Sequence, residues 1–276
     1  MTTNPRTLLD QYELQPKKSL GQNFLHDPNT LEKIVNTAEL MPDDTVVEIG
    51  PGTGTLTKLL AQKARHVISI EIDASLRPVL EQELAPYDNV VVMYEDFLKV
   101  DVLRLVGAKD FIVVANVPYY ITSKILRNLL DSHRRPRRIV LTVQMEVAER
   151  IIAEPGDMSL LAVSVQFYGK PQIVTRLKPG VFWPRPDVDS AVLRIDCYDD
   201  LLLDVPDSKT FFRVVRAGFS QKRKQLKNSL SGGLGIKSRA AGDMLDEAGI
   251  DATRRAETLS LEEWAALTRA YAAMQD

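Results

Sequence analysis

Val46-Val47-Glu48-Ile49-Gly50-Pro51-Gly52-Thr53-Gly54-Thr55-Leu56-Thr57 is the stretch from which the rest of the chain is understood. Val46, Val47 and Ile49 form a short β-branched run, which predicts a buried parallel strand. Gly50, Gly52 and Gly54 follow at once. Leu56, Leu59, Leu60 and Ala64 then fall on one face of a helix. Strand, glycine turn and helix make a mononucleotide-binding half-unit. Without a Cβ the turn admits a ligand close to the backbone, and the helix behind it aims its N–H groups and dipole at that ligand.

A dinucleotide fingerprint would run G-x-G-x-x-G, but Thr55 occupies its last position. The pattern is G-x-G-x-G with Glu48 in the preceding strand. That spacing resembles motif I of S-adenosylmethionine-dependent methyltransferases. The glycines alone also fit a tight β–α turn that holds no ligand.

Outward from this stretch the α/β alternation continues. Asp27 is expected to cap a helix that opens at Pro28 and buries Leu31, Ile34, Val35 and Ala38. Strands are predicted at 67–70, 90–94, 111–115 and 139–143. Helices are predicted at 74–84, with Pro78 delaying or kinking it, at 123–130 and at 146–153. The apolar run 160–168 fits either period. Segments 173–181 and 191–195 are expected as closing strands. Beyond Cys197 no strand signal remains, and 211–230, 240–248 and 261–274 predict helices, with Ser231-Gly232-Gly233 as a turn. The expected architecture is a Rossmann-like α/β domain over residues 1–198 and a small all-helical domain over 199–276.

The chain has 276 residues, 45% hydrophobic and 26% charged, which is ordinary for a globular protein. One cysteine excludes an intramolecular disulfide framework, and three scattered histidines argue against a metal site. No long apolar run and no signal core are present, so a soluble cytoplasmic protein is expected.

In an open parallel sheet, ligands bind beyond the carboxyl ends of the strands. Glu71 stands about 20 residues past the glycine turn, where a carboxylate can accept both hydroxyls of a ribose. Asp96, at the next strand end, can accept a hydrogen from the exocyclic amine of adenine. Asn116-Val117-Pro118-Tyr119 closes the fourth strand. It suits methyl transfer to an aromatic exocyclic amine, a poor nucleophile because its lone pair is delocalised into the ring. The Asn116 oxygen and a carbonyl of Val117 or Pro118 would accept its two hydrogens and favour a tetrahedral nitrogen. Pro118 would stiffen the loop, and Tyr119 would stack on a flipped base. In isolation the tetrapeptide also fits a β–α turn with a packed tyrosine.

Here the chain resembles the ribosomal RNA adenine N6-dimethyltransferases, in particular the bacterial KsgA type acting on small-subunit RNA. The resemblance runs over almost the whole length. It includes Lys18-Ser19-Leu20-Gly21-Gln22-Asn23-Phe24-Leu25, Glu48 to Gly54, Glu95-Asp96-Phe97 and Asn116 to Tyr119. It continues through Gln144 to Arg150, Phe182-Trp183-Pro184-Arg185-Pro186, Val188-Asp189-Ser190, Asn228-Ser229-Leu230 and Arg255 to Ser260. It implies that Asn23, Leu25, Gly50, Gly52, Glu71, Asp96 and Asn116 contact S-adenosylmethionine. It also implies that Tyr119 and Phe182 flank the target adenine. Gly156-Asp157-Met158-Ser159-Leu160 departs from the family, which often has Tyr-Gly-Arg-Leu-Ser there.

Net charge is −2, yet basic residues cluster. Lys17 and Lys18 precede the first capped helix. Arg134, Arg135, Arg137 and Arg138 crowd one loop. Lys222, Arg223, Lys224 and Lys227 are expected on one helix, with Arg254 and Arg255 beyond. Such asymmetry favours an RNA-facing surface, although a charge run is also compatible with a solvated face. The expected activity is dimethylation of two adjacent adenines near the 3′ end of 16S ribosomal RNA, within the 30S particle or its precursor, by a monomer. The rival readings are a large-subunit enzyme of the macrolide-resistance type, a DNA adenine methyltransferase and a non-enzymatic assembly factor.

Overall fold

The computed structural model describes residues 4–275. In chain order the elements are α1 (Pro5–Gln11), β1 (Phe24–Leu25), α2 (Pro28–Ala38), β2 (Thr45–Ile49), α3 (Thr55–Ala61), β3 (His66–Glu71), α4 (Arg77–Leu84) and β4 (Val90–Tyr94). Next come α5 (Val102–Val106), β5 (Phe111–Asn116), α6 (Thr122–Leu130), β6 (Arg138–Gln144), α7 (Met145–Ile151), α8 (Leu160–Gln166), β7 (Gly169–Leu177), β8 (Phe182–Trp183) and β9 (Ser190–Cys197). The chain ends with α9 (Ser208–Gly218), α10 (Leu226–Leu234), α11 (Ser238–Glu247) and α12 (Leu261–Ala273).

Seven strands form one sheet in the order β4-β3-β2-β5-β6-β9-β7. From β4 to β6 all pairings are parallel, and β9 returns antiparallel to β6. The chain lays β2, β3 and β4 outward in one direction, then crosses back to place β5 and β6 on the other side of β2. The order therefore reverses between β2 and β5, and that reversal opens a crevice at the carboxyl ends of the strands. All five residues of β2 are buried, as a central parallel strand covered on both faces requires. On one face α2 buries Leu31, Ile34, Val35 and Ala38 in a core with Val46, Leu60, Ile112 and Val140. Its start is set by Pro28 and by Asp27, whose Oδ2 accepts the Thr30 N–H at 2.8 Å. Truncating a core residue such as Leu31 to Ala costs about 2–5 kcal/mol.

Pro78 lies in the first turn of α4, after a short 3₁₀ turn at Ala74–Leu76, so the helix expected from 74 starts late. The ambiguous run 160–168 is helical as α8, capped by the Ser159 hydroxyl, which accepts the Ala162 N–H at 3.1 Å. The preceding Gly156-Asp157-Met158 turn is held by Gly156 and Met158 N–H groups donating to the Glu257 carbonyl at 2.8 and 3.1 Å.

Two compact units result: one runs through Ala148 and adds Pro171–Cys197, the other comprises Glu149–Lys170 and Tyr198–Asp276. Glu149–Lys170, placed in the first domain from sequence, joins the helical unit because Phe167 and Tyr168 pack on aromatic residues of α9. Phe167 stacks on Phe211 with centroids 4.3 Å apart, and Tyr168 lies 5.7 Å from Phe212. The single helix expected over 211–230 is two, α9 and α10, and the turn expected at Ser231-Gly232-Gly233 lies inside α10. A close approach explains this. A Cβ on Gly233 would lie 2.6 Å from Ala217 Cα, so the two helix backbones touch where neither can carry a larger side chain. The chain must reverse between them, at 219–225. Among the described residues no helix is long and apolar enough to cross a membrane.

Candidate active site

A cavity of about 260 Å³ opens at the carboxyl ends of β2, β3, β4 and β5, lined entirely by the first unit. Asn23, Leu25, Gly50, Gly52, Glu71, Asp96, Asn116, Pro118 and Tyr119 all line it. Strand register brings them together. Ile49 pairs with Ile70 on one side and with Ala115 on the other, so Gly50, Glu71 and Asn116 follow neighbouring strand ends. Asp96 follows β4 and caps the next turn, its Oδ1 accepting the Leu98 N–H at 3.0 Å.

The glycine turn is built from the inside. Gly52 has φ +58°, a left-handed conformation, and a Cβ there would lie 2.9 Å from the Phe24 ring. The Cβ-free position therefore serves the packing of Phe24 under the turn as well as any ligand above it. The Gly52 N–H donates to Glu71 Oε2 at 3.1 Å, and the Asp73 N–H donates to Oε1 at 2.8 Å. Glu71 is buried, which raises its carboxyl pKa, while the N–H groups of Asp73 and Gly52 pull the other way. A carboxylate offers about four lone-pair sites, so two remain for donors in the cavity. Asp73 is fixed in turn by Lys17 Nζ at 2.5 Å and Gln22 Nε2 at 2.8 Å.

Asn116 is oriented by its amide nitrogen, which donates to the Asn23 carbonyl at 2.9 Å. That bond turns Oδ1, an acceptor, to the other side. Tyr119 is held at two points: its carbonyl accepts from Thr122 Oγ1 at 3.2 Å, and its phenol lies 2.6 Å from Ser190 Oγ. Burial raises the pKa of that phenol, opposed by the Ser190 bond.

Beneath the turn lies a group the sequence noted only as part of a motif. Glu48 is 1% exposed. Its Oε2 accepts from Thr57 Oγ1 and Ser69 Oγ, both at 2.7 Å, tying β2 to α3 and β3. Its Oε1 has no hydrogen-bond partner among the described residues. Burial pushes its carboxyl up to about 7.

Three expectations are corrected. Phe182 does not line the cavity: it is 1% exposed in the main core, where β8 pairs it with Leu25 of β1. Lys17 is not a free cation, because Asp73 holds its ammonium. Lys222, Arg223 and Lys224 are not helical but occupy the turn before α10, and of that cluster only Lys227 is on a helix. The three turn residues are exposed and have no ion-pair partner among the described residues. Lys18 is exposed as well. By contrast, the 134–138 cluster is bound into the fold. Arg134 donates to the Gly107 carbonyl, Arg137 pairs with Asp44 at 3.0 Å, and Arg138 with Glu39 at 2.7 Å. Arg254 is likewise held by Glu263, with one contact at 3.0 Å.

A parallel sheet whose strand ends bring a glycine turn, a buried acid and Asn-x-Pro-Tyr around one cavity is that of a Rossmann-like methyltransferase. The model of the family described as ribosomal RNA adenine dimethylase matches residues 13–272, and the chain belongs to that family. A relative from Moorella thermoacetica, named ribosomal RNA small subunit methyltransferase A, is 48% identical over 273 residues, covering 95% of this chain and 94% of that one. The solved structure of a dimethyladenosine transferase from Plasmodium falciparum superposes with a TM-score of 0.79 at 25% identity, covering 91% of this chain and 98% of that one. That of the 23S rRNA methyltransferase ErmE gives 0.72 at 31% identity, covering 90% and 99%.

Proposed function

We propose that the chain transfers methyl groups from S-adenosylmethionine to N6 of two adjacent adenines near the 3′ end of 16S ribosomal RNA. Each adenine receives two. The substrate is the 30S particle or its precursor, and the enzyme acts in the cytoplasm as a monomer. The observation that carries this reading is the orientation of Asn116. Its nitrogen is fixed on the Asn23 carbonyl, which leaves Oδ1 as a preorganised acceptor beside Pro118 and Tyr119. The name of the Moorella thermoacetica relative favours the small subunit.

The residues present fit the cofactor. Glu71 keeps two lone-pair sites for the ribose hydroxyls, Asp96 lies at the next strand end for the adenine amine, and the glycine turn leaves the backbone open. Asn23 and Leu25 complete that wall. When bound, S-adenosylmethionine supplies a methyl on a positively charged sulfur. The chain's part is to make N6 nucleophilic. Asn116 Oδ1 accepts one N6 hydrogen and a carbonyl of the Val117-Pro118 segment the other, which favours a tetrahedral nitrogen with a localised lone pair. Tyr119 stacks on the target base. The cofactor would supply the methyl and leave as S-adenosylhomocysteine, while the proton of the methylated nitrogen would pass to water. Acceptors fixed before the reaction lower the barrier because nothing need reorganise as charge develops. Lys18, Lys222, Arg223, Lys224 and Lys227 supply phosphate contacts.

Tritiated methyl transfer to 30S particles lacking these methyl groups, followed by nucleoside analysis, tests the proposal. Dimethyladenosine at two adjacent positions of 16S RNA is expected. Label only on large-subunit RNA would transfer the chain to the second reading, to which the likeness to ErmE corresponds.

A further inference from the structure

We propose that Ser190 is a positioning residue for methyl transfer, fixing through the Tyr119 phenol the ring on which the target adenine stacks. This rests on the functional reading above. The two hydroxyls lie 2.6 Å apart although 71 residues separate them in sequence. Ser190 is 0% exposed, so its hydroxyl is shut off from bulk water and Tyr119 is the side chain it meets. The backbone that carries it is tied to its neighbours. Ser190 opens β9 opposite Gln144 of β6. The preceding Asp189 accepts from Arg176 Nε at 2.6 Å and Lys178 Nζ at 3.0 Å, and its carbonyl accepts the Met145 N–H at 3.0 Å.

At the other end, Tyr119 follows Pro118 and opens a single 3₁₀ turn, Tyr119–Ile121. Thr122 Oγ1 anchors its carbonyl at 3.2 Å. Backbone and phenol are thus both tied, and the ring between them is held to one rotamer. An untied tyrosine at a cavity mouth would have to be immobilised by each incoming base. Removing that ordering step favours the reactive complex by about two- to twelve-fold, the range for one immobilised side chain. Phe182, buried in the core, does not line this cavity.

The test compares the full-length wild type with Ser190→Ala, Tyr119→Phe and the double variant. Single-turnover methyl transfer is measured on whichever ribosomal RNA the wild type labels. Cofactor affinity is measured by calorimetry and stability by thermal melting. Because every rate is taken relative to wild type on the same RNA, a wrong choice of RNA target overturns the functional reading alone. Ser190→Ala is expected to lower the single-turnover rate about two- to twelve-fold with cofactor affinity unchanged. Tyr119→Phe keeps the ring but deletes the tether and should lose as much. The double variant should be no slower than either single one, since one contact is removed once. A wild-type rate in a folded Ser190→Ala protein overturns the proposal, as does multiplication of the two losses. If Ser190→Ala fails to fold, Tyr119→Phe decides alone, and a wild-type rate there overturns it equally.

Discussion

Glu48→Gln isolates one carboxyl whose burial shapes the stability of the first unit. Glu48 ordinarily titrates at 4.5, and in the folded chain burial pushes it up to about 7. The folded state therefore holds this proton more tightly than the unfolded one. The contribution of Glu48 is fully favourable below pH 4.5 and is lost as pH rises through about 7. At about 1.4 kcal/mol per pH unit, the interval from 4.5 to about 7 corresponds to about 3 kcal/mol. Glutamine keeps an oxygen to accept from Thr57 and Ser69 but cannot ionise. Urea unfolding of both proteins from pH 4 to 9 is the assay. Stability of wild type relative to Glu48→Gln should fall by about 3 kcal/mol across that window and level off above pH 8. Near pH 8 the variant then gains relative to wild type everything that ionisation costs. A relative stability independent of pH would show that Glu48 ionises as if exposed, and would refute the burial reasoning for this strand.

Gly52→Val should abolish cofactor binding and lower the melting temperature, because both φ +58° and the Phe24 ring oppose a branched side chain; calorimetry showing wild-type affinity in a folded variant would contradict this. Asn116→Ala should lower kcat by about 10²–10³-fold, as for deletion of one preorganised hydrogen-bonding group, while leaving the fold intact. Near wild-type single-turnover rates in a stable variant would remove Asn116 from the mechanism. Charge reversal of Lys222, Arg223 and Lys224 should leave cofactor affinity unchanged and make the salt dependence of particle binding shallower by about 0.7–0.9 per lost phosphate contact. An unaltered slope would mark the turn as a solvated face.

The sheet was legible because its central strands announce themselves. Phe111 to Ala115 is a continuous apolar run and Val46 to Ile49 is one broken only by Glu48, and each is followed by a residue that cannot continue a strand core. What was illegible is non-local. β1 and β8 are two residues each, and Phe24 meets Trp183 across the whole intervening domain, so neither carries a period. The break between α9 and α10 is enforced by Gly233 lying against Ala217, a contact no local pattern encodes. The same holds for the run 160–168, whose strand-or-helix ambiguity is settled by aromatic partners on α9.

At the site, sequence identified which residues would gather but not what would aim them. Strand ends nominated Glu71, Asp96 and Asn116, and all three line the cavity. The orientation of Glu71 and Asn116 is tied to Lys17 to Leu25, the segment with no discernible period. Lys17 and Gln22 grip Asp73, whose N–H in turn holds Glu71, while the Asn23 carbonyl turns Asn116. Leu25 pairs with Phe182. Such a segment has no single face to bury, since its residues answer several different elements: Asp73 after β3, Asn116 at the end of β5, and β8. The absence of a period therefore follows from its role. The same contacts explain two corrected expectations, for Lys17 is paired with Asp73, and Phe182 is packed in the core beside β1. With Phe182 packed in the core, Tyr119 is a cavity-lining ring whose phenol is tied to β9 through the Ser190 hydroxyl.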